Sequence, residues 1–391
     1  MTESRLRILS SLSQITPHVW DACAAAGAAR PEPFLSHAFL HALEESGCAT
    51  PRTGWVPRHL VLDGPQESVR AVAPAYLKSH SRGEYVFDQG WAQAYEQVGG
   101  RYYPKLQVCV PFTPVTGRRL LVRDLADAAG AEALLAAGLV ELAGRHKASS
   151  VHVTFATQPE WEHLGRLGFL QRLDQQFHWS NQGYGTFEDV LEQMSSRKRK
   201  AIRRERREAL AAGITIQWLT GADLTEAAWD AFFAFYMDTG GRKWGQPYLN
   251  RRFFSLLGAW MADQVLLVMA VREGRYVAGA LNLIGARTLY GRYWGAIEEH
   301  PFLHFEVCYH QAVDFAIAHG LAVVEAGAQG EHKLARGYLP VETYSAHFIA
   351  DPALRRGVAH YLTHERAQMK QIGAELSELG PYRRGTLRDG D

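Results

Sequence analysis

The sequence predicts an α/β (α+β) fold in which two structurally equivalent domains follow each other along the chain. Three observations support this prediction: the length of 391 residues, a globular composition, and an internal repeat. A chain of this length exceeds one ordinary hydrophobic core and suits two domains of about 150–200 residues each. Hydrophobic residues make up 47% of the chain and charged residues 21%, which is typical of a folded globular protein.

The internal repeat consists of three landmarks that occur in the same order in both halves. They match 33–43 with 247–257, the surroundings of Val72 with those of Val277, and 162–179 with 331–348. In the third landmark, Gly168 matches Gly337 at a spacing of 169 residues, and the same spacing matches His178 with His347. The spacing falls from 205 to 169 before this landmark, which predicts an aromatic-rich insertion near 83–114 in the first half. Chance similarity between apolar positions is the alternative explanation.

Each half is predicted to contain helices between and after the strands of a mixed sheet. Alternating apolar residues bounded by Gly-containing turns indicate strands, and apolar residues three and four apart indicate helices. The predicted helices of the second half are 225–238, 250–261, 304–319 and 352–372, and its predicted strands are 265–272, 276–284, 288–294, 322–325 and 345–349. The last helix begins at Asp351-Pro352, because Asp caps a helix and Pro fits its first turn. We place the domains at 1–182 and 183–391.

Several classes of protein are excluded by composition or motif. The longest apolar stretches fall far short of the roughly 18 residues that span a bilayer, and the first residues lack the apolar core of a signal peptide. The four cysteines are scattered, so neither a zinc cluster nor a disulfide framework is indicated. P-loop, H-E-x-x-H and G-x-S-x-G motifs do not occur in the sequence. We expect a cytoplasmic protein without a transmembrane segment, metal or tightly bound cofactor; its oligomeric state stays open.

Segment 195–212 concentrates positive charge in a chain whose net charge is only +1. It contains eight Arg or Lys residues against Glu205 and Glu208. Their spacing of three and four residues predicts a helix with a cationic face, which suits the phosphate groups of tRNA, a lipid-linked sugar or coenzyme A. A solvated helix face is the alternative. The candidate phosphate- and donor-binding residues are Arg197, Lys198, Lys200, Arg203 and Arg204.

Charged residues of the second half replace apolar residues at matched positions of the first. Lys333 and Arg336 stand where the first half has leucines, and Glu325 stands where it has Ala156. Because unpaired charge is costly to bury, these residues are predicted to line a polar site within the Gly-rich string 327–338. A solvated loop is the alternative. Further polar residues of this string are Gln329, Glu331 and His332.

Two further segments combine cations with aromatic rings. Segment 239–245 is predicted to be a loop between two helices, and its composition suits an anionic or planar group, although a plain turn is equally compatible. Segment 292–295 ends a central strand, where one aromatic ring is expected to pack and another to face the cleft. The candidate residues of the two segments are Arg242, Lys243, Trp244 and Tyr293.

Several of these strings carry a resemblance to a known family. They are PFLSHAFLHALEESG at 33–47, RKRKAIRRER at 197–206, the segment 285–295, LHFE-x-x-Y at 303–309, GAQGEHKLARGYLP at 327–340 and SAHF at 345–348. The chain resembles, over nearly its whole length, the FemAB-like family of predicted N-acyltransferases, which is related to the Fem aminoacyltransferases of peptidoglycan cross-bridge synthesis. The resemblance implies tandem GNAT-like domains, each with a mixed, mostly antiparallel sheet flanked by helices. Fem enzymes carry a Lys two residues before a Gly-Phe pair, whereas this chain has Ala335 at that position, beside Lys333 and Arg336.

The resemblance leads to the hypothesis of an N-acyltransferase whose active site lies in the second half. Attack of an amine on an ester or thioester requires a proton acceptor and stabilisation of the oxyanion. Glu306 or His332 is the candidate proton acceptor, and Lys333 and Arg336 are candidates for holding the oxyanion or a phosphate. The candidate substrate-binding residues are Arg242, Lys243, Trp244, Tyr293, Glu325, Gln329 and Glu331.

The expected donor is acyl-CoA or aminoacyl-tRNA, and the expected acceptor is an amine of a small molecule or a cell-wall peptide precursor. The alternative hypothesis is a catalytically silent double domain that recognises a cell-wall peptide or an RNA. The placement of charge at scaffold positions favours the enzyme. The acetyl-CoA loop of ordinary GNAT enzymes does not occur in the sequence, which favours the binding protein.

Overall fold

A computed structural model describes residues 5–65, 68–244, 247–327 and 330–383, without the side chains of 242–244 and 331. The chain forms two compact units. Unit 1 comprises Met1–Asp174 and Glu342–Gln371, and unit 2 comprises Gln175–Val341 and Ile372–Asp391. The predicted limits, 1–182 and 183–391, follow chain order and therefore do not describe the return of 342–371 to unit 1.

Helices and strands alternate along most of the described chain. The elements up to residue 166 are β1 (Leu6–Leu9), α1 (Pro17–Ala25), α2 (His37–Glu45), β2 (Trp55–Pro57), β3 (His59–Asp63), β4 (Val69–Ala73), β5 (Ala75–Lys78), α3 (Gln89–Gln97), β6 (Lys105–Val108), β7 (Leu121–Val122), α4 (Ala128–Arg145), β8 (Ser150–Ala156) and α5 (Gln158–Arg166). The later elements are β9 (Leu170–Ser180), α6 (Phe187–Gln193), α7 (Ser196–Ala209), β10 (Thr215–Leu219), α8 (Glu226–Trp244), α9 (Arg251–Met261), β11 (Val265–Arg272), β12 (Arg275–Ile284), β13 (Thr288–Ala296), α10 (Leu303–Phe305), α11 (Gln311–Ala318), β14 (Val323–Glu325), β15 (Leu339–Ile349) and α12 (Pro352–Glu378).

Both units contain mixed sheets in which antiparallel pairs dominate. Unit 1 has one sheet in the order β1-β3-β4-β7 and a second row of paired strands, β2-β5-β6-β8-β15. Unit 2 has the order β10-β11-β12-β13-β14-β9. The parallel pairs are β6 with β8 in unit 1 and β13 with β14 in unit 2, so each occupies the same place in its unit. The predicted fold class, α/β with mixed, mostly antiparallel sheets flanked by helices, is confirmed.

Helices cover both faces of the sheet in unit 2 and bury its central strands. On one face, Leu303 and Val307 pack with Leu266 and Val268 of β11. On the other face, α8 approaches so closely that a Cβ added at Gly295 of β13 would lie 2.1 Å from a main-chain oxygen of the helix. This burial fixes β12 and β13 firmly, and their ends support the site described below.

The internal repeat is visible in the structure. Strands β9 and β15 are both eleven residues long and begin at Leu170 and Leu339, a spacing of 169. Each follows a helical turn and a glycine in the left-handed region, with φ of +91° at Gly168 and +89° at Gly337. The repeat prediction is therefore confirmed for this landmark, and the positive φ explains why both turns carry glycine.

The two repeats exchange their last strands. In unit 2, β14 of the second repeat pairs with β9 of the first, and Glu325 lies opposite His178. In unit 1, β8 of the first repeat pairs with β15 of the second, and His152 lies opposite His347. This exchange is the reason that the compact units do not follow chain order.

Two details of the predicted elements are wrong. The aromatic-rich insertion at 83–114 includes β6, which is an integral sheet strand, so the inserted part ends before Lys105. The predicted loop at 239–245 is helical up to residue 244. Helix α8 continues through Thr239 and accommodates the two glycines that follow it, Gly240 and Gly241.

Candidate active site

The parallel pairing of β13 and β14 stops halfway along β13. The two strands are paired from Thr288 and Val323 to Tyr290 and Glu325, where β14 ends. Strand β13 continues to Ala296, and its residues 291–294 are only half-buried. A register shift in the β12–β13 pairing at this level changes the course of β13 further. The result is an open sheet edge within unit 2, at the carboxyl end of β14.

A buried ion pair lies at this edge. An Arg292 Nη2 nitrogen lies 2.5 Å from Glu325 Oε1, and both side chains are 3% exposed. His178 Nε2 lies 3.9 Å from Glu325 Oε2, and burial lowers the pKa of His178 despite the nearby carboxylate. Removing either partner of a buried pair of this kind would leave an uncompensated charge, which is strongly destabilising.

Lys333 adds a second cation to the same place. It belongs to the 3₁₀-helical segment Glu331–Arg336, is 3% exposed, and donates from Nζ to the carbonyl oxygen of Gly327 at 2.9 Å. Burial and, to a smaller extent, the positive charge of Arg292 lower the pKa of Lys333 to about 8, although Cys308 and Glu325 oppose the shift. Two cations and one carboxylate therefore face each other where β14 ends.

Arg336 links the 3₁₀-helical segment to α7. Its Nη2 donates to Glu205 Oε2 at 2.8 Å, and its Nη1 donates to the carbonyl oxygen of His332 at 2.6 Å. Its guanidinium lies over the ring of Phe305, 3.3 Å from the ring centre. Burial lowers the pKa of Arg336, although Glu205 opposes the shift. In the structure, Arg336 therefore connects the 3₁₀-helical segment to α7 by hydrogen bonds.

Glu306 is also committed to α7. Arg206 donates to its two carboxylate oxygens at 3.1 and 2.9 Å, and Gln311 donates to Oε1 at 2.7 Å. Glu306 begins the π-helical turn Glu306–His310 and is fully buried. The sequence makes Glu306 a candidate proton acceptor, but the structure shows both oxygens occupied by Arg206, which explains its burial.

His332 stands at the exposed side of the same region. Its Nε2 lies 2.9 Å from the hydroxyl oxygen of Tyr309, and its ring lies among those of His304, Phe305 and Tyr309. Tyr309 lies in the π-helical turn and is 6% exposed. Sequence reasoning missed Tyr309 and Arg292 as site residues. The spacing of Tyr309 also fits an ordinary buried position of a helix, and that of Arg292 fits an ordinary position of a strand, so neither pattern indicates a site.

The cationic helix is formed as predicted, with Ile202 buried beneath it. Exposed cations on α7 include Arg197, Lys200, Arg203, Arg204 and Arg207, whereas Lys198 is half-buried. Arg203 pairs with Glu188, and Arg204 lies 3.4 Å from Glu208. Within the described ranges, no carboxylate pairs with Arg197, Lys198 or Lys200. The first turn of α7 therefore presents uncompensated positive charge to solvent.

Of the remaining predicted site residues, only Tyr293 has a side chain that the structure describes. Tyr293 is half-buried and packs with its ring centre 5.3 Å from that of Tyr236 in α8. Gln329 lies outside the described residues. The side chains of Arg242, Lys243, Trp244 and Glu331 also lie outside the described part of the chain. In that part, no group of three or more His, Cys, Asp or Glu residues is placed to hold a metal ion, and no helix is long and apolar enough to cross a membrane.

A family model named FemAB-like, described as peptidoglycan biosynthesis/recognition, matches residues 11–384. The chain belongs to this FemAB-like family. No curated protein matches the chain.

Three solved structures show the same fold at low sequence identity. FemX is 14% identical, with a TM-score of 0.55 over 88% of this chain and 98% of its own. A protein of unknown function from Bacteroides thetaiotaomicron is 13% identical, with a TM-score of 0.52 over 88% of this chain and 100% of its own. L-PGS from Bacillus licheniformis is 10% identical, with a TM-score of 0.50 over 82% of this chain and 95% of its own.

Proposed function

We propose that this protein transfers an acyl or aminoacyl group from acyl-CoA or aminoacyl-tRNA to an amine of a peptidoglycan precursor. The family description supports a role in peptidoglycan chemistry, and the fold shared with FemX supports group transfer. The proposed site is the open edge of β13 in unit 2. Lys333, Arg292 and Glu325 form its floor, and His332 stands at its exposed side.

The observation that carries this proposal is the charge balance at the end of β14. Lys333 and Arg292 are both buried beside a single carboxylate, Glu325, which pairs with Arg292. Among the described residues, the ammonium group of Lys333 is therefore bound by the neutral carbonyl of Gly327 alone. A preorganised, buried cation of this kind stabilises the negative charge that develops on a carbonyl oxygen during acyl transfer.

The reaction follows from this arrangement. The acceptor amine attacks the carbonyl carbon of the donor ester or thioester, and the carbonyl oxygen becomes an oxyanion that Lys333 stabilises. The carbon–oxygen or carbon–sulfur bond then breaks, an amide remains, and the proton lost by the amine leaves on the alcohol or thiol. Glu306 takes no part in this proton transfer, because Arg206 and Gln311 occupy its carboxylate.

The uncompensated cations of α7 are proposed to hold the phosphates of the donor. Arg206 and Glu205 attach α7 to Glu306 and Arg336, so the helix is fixed directly beside the site. Arg197, Lys198 and Lys200 then extend positive charge away from it along the first turn. Phosphates of either donor class would bind there by charge, without reading a sequence.

The test is a transfer assay with the full chain, in which product is detected by mass spectrometry. Labelled aminoacyl-tRNAs and acyl-CoAs are compared as donors, with soluble peptidoglycan precursor peptides as acceptors. We expect an amide product with one donor class and its loss in Lys333→Leu. Binding of the precursor without product from either donor class would contradict transfer and leave recognition as the function.

A further inference from the structure

The two carboxylates of the cationic helix α7 have different partners. Glu208 lies 3.4 Å from Arg204 of the same helix, and its side chain is 42% exposed. Glu205 follows the buried Ile202 by one turn, is 17% exposed, and pairs with Arg336 of the 3₁₀-helical segment. A negative charge on α7 weakens the binding of phosphates to its cations. Glu205 therefore opposes the proposed task of this helix, unless its carboxylate serves another element of the site.

The carboxylate of Glu205 is bound from outside α7. Arg336 donates from Nη2 to Glu205 Oε2 at 2.8 Å, and His310 Nε2 lies 3.8 Å from the same oxygen. Burial raises the pKa of Glu205, but His310 and Arg336 outweigh this effect and bring the pKa below its ordinary value. Glu205 is therefore ionised at neutral pH. It forms a charge-assisted hydrogen bond with Arg336 at a place that solvent screens less than an exposed pair.

Arg336 also binds the peptide group that leads into Lys333. Its Nη1 donates at 2.6 Å to the carbonyl oxygen of His332, and the nitrogen of that peptide group is the amide of Lys333. The ring of Phe305 supports the guanidinium group, whose carbon lies 3.3 Å from the ring centre. Because a peptide group is planar, a bond to its oxygen also restricts the position of the Lys333 main chain.

The 3₁₀-helical segment depends on such contacts, because its own backbone restrains it weakly. Glycines in the left-handed region flank the segment, with φ of +117° at Gly330 and +89° at Gly337, and glycine permits more conformations than other residues. The hydrogen bonds of a 3₁₀-helix also have poorer geometry than those of an α-helix. Leu334 packs into the hydrophobic core of unit 2 and keeps the segment attached. The orientation of Lys333 within the attached segment therefore depends on side-chain contacts such as that of Arg336.

We infer that Glu205 is a positioning residue, which holds Lys333 in place for the reaction through Arg336. Its carboxylate joins the donor-binding helix to the residue that stabilises the oxyanion, so donor binding and oxyanion stabilisation depend on the same element. This inference rests on the proposed function, in which α7 binds the donor phosphates and Lys333 binds the oxyanion. It explains why a helix that binds phosphates retains a half-buried carboxylate: a better-placed lysine offsets the weaker phosphate binding.

The first experiment separates the two effects of Glu205 by kinetics in the transfer assay. Glu205→Ala and the matched control Glu208→Ala remove the same charge from α7, so both should lower the KM of the donor at low salt. Only Glu205→Ala should reduce kcat, by about 10- to 100-fold, because Lys333 loses its support. Glu205→Gln keeps an oxygen that can accept from Arg336, and it should recover part of this kcat. An unchanged kcat in Glu205→Ala, or an equal loss of kcat in Glu208→Ala, would overturn the inference.

The second experiment measures the 3₁₀-helical segment directly, without any substrate. Hydrogen exchange is followed at the amides of Lys333, Gly337 and Tyr338, which donate to main-chain carbonyls within and beside the segment. We expect faster exchange of these amides in Glu205→Ala than in Glu208→Ala, and unchanged exchange in β12, because the core of unit 2 stays intact. Unchanged exchange of the three amides would overturn the inference. Equal acceleration in β12 would also overturn it, because Glu205 would then support the whole of unit 2 rather than Lys333.

The two experiments separate this inference from the proposed function. If no donor yields product, the proposed function fails, while hydrogen exchange still decides whether Glu205 holds the segment that carries Lys333. If product forms and Glu205→Ala keeps the kcat of the unaltered protein, the proposed function stands and the inference about Glu205 fails.

Discussion

Each unit has a row of residues that crosses three neighbouring strands at equivalent places. A helix covers this row in unit 1, whereas in unit 2 it lies at an open sheet edge. In unit 2 the row crosses β13, β14 and β9 through Tyr290, Glu325 and His178. In unit 1 it crosses β6, β8 and β15 through Gln107, His152 and His347. In unit 1, Trp91 of α3 packs against His347 with ring centres 5.0 Å apart, and all these side chains are buried. The inserted helix α3 thus fills the place that is an open edge in unit 2.

The two places also differ in how their lysines are bound. In unit 1, Lys105 donates to Glu84 at 2.6 Å, to Asp88 at 2.5 Å and to Ser81 at 2.7 Å. In unit 2, Lys333 donates to one neutral carbonyl. A fully compensated charge holds a structure together, whereas a charge that has no carboxylate of its own within the described part of unit 2 is proposed to be available to a substrate. The comparison indicates that Lys105 stabilises unit 1, whereas Lys333 of unit 2 is the lysine proposed to act on the substrate.

The largest expected effect is on the stability of unit 1. Lys105→Leu would leave Glu84 and Asp88 buried without their main partner, which typically costs about 3–5 kcal/mol. The free energy of unfolding is measured by urea denaturation with the full chain. A loss below about 1 kcal/mol would show that Lys105 is not the support of this cluster.

Lys333→Leu is the matched substitution in unit 2, with the opposite expectation. Burying leucine instead of a lysine bound by a single carbonyl should change the unfolding free energy by less than about 1 kcal/mol. The transfer rate should fall by about 100- to 1,000-fold, because the oxyanion loses its cation. Equal losses of stability in Lys333→Leu and Lys105→Leu would remove the distinction between the two lysines.

A smaller effect concerns Lys78 of unit 1, whose ammonium lies 3.4 Å from the ring centre of Trp55. Burial lowers the pKa of Lys78 from 10.5 to about 7. Between these values the unfolded chain binds more protons than the folded one, so this residue makes stability rise with pH. The unfolding free energy of the unaltered protein relative to Lys78→Met should rise by up to about 1.4 kcal/mol per pH unit between about pH 7.5 and 10. A constant difference across this range would contradict the lowered pKa.

The sequence predicts the scaffold better than the site, and particular residues show why. The repeat and the cationic helix are local patterns, and periodicity alone identifies α7. Sequence spacing matches Glu325 with Ala156, but in the structure Glu325 occupies the place of His152. The reason is strand length: Gly168 follows His152 by sixteen positions, whereas Gly337 follows Glu325 by twelve. The exchange of strands between the repeats depends on pairing between residues that are far apart in the sequence. Matching positions by their spacing along the chain cannot reveal such pairing.

The smallest expected effect is on the KM of the donor, and it should differ between two groups of cations on α7. Arg197 and Lys200 have no paired carboxylate within the described residues, whereas Arg203 and Arg204 lie beside Glu188 and Glu208. Replacing Arg197 and Lys200 by Ala should raise the donor KM several-fold at low salt and reduce the salt dependence of binding by about two charges. The matched double variant, Arg203→Ala with Arg204→Ala, should change both quantities less, because these cations are already compensated. The KM of both double variants is measured with the active donor between about 50 and 200 mM salt, which shows which pair of cations binds the donor. If the Arg197→Ala, Lys200→Ala double variant has an unchanged KM at low salt, this face of α7 is a solvated surface that does not bind the donor. If both double variants change KM equally, ion pairing with Glu188 and Glu208 does not determine which cations of α7 bind the donor.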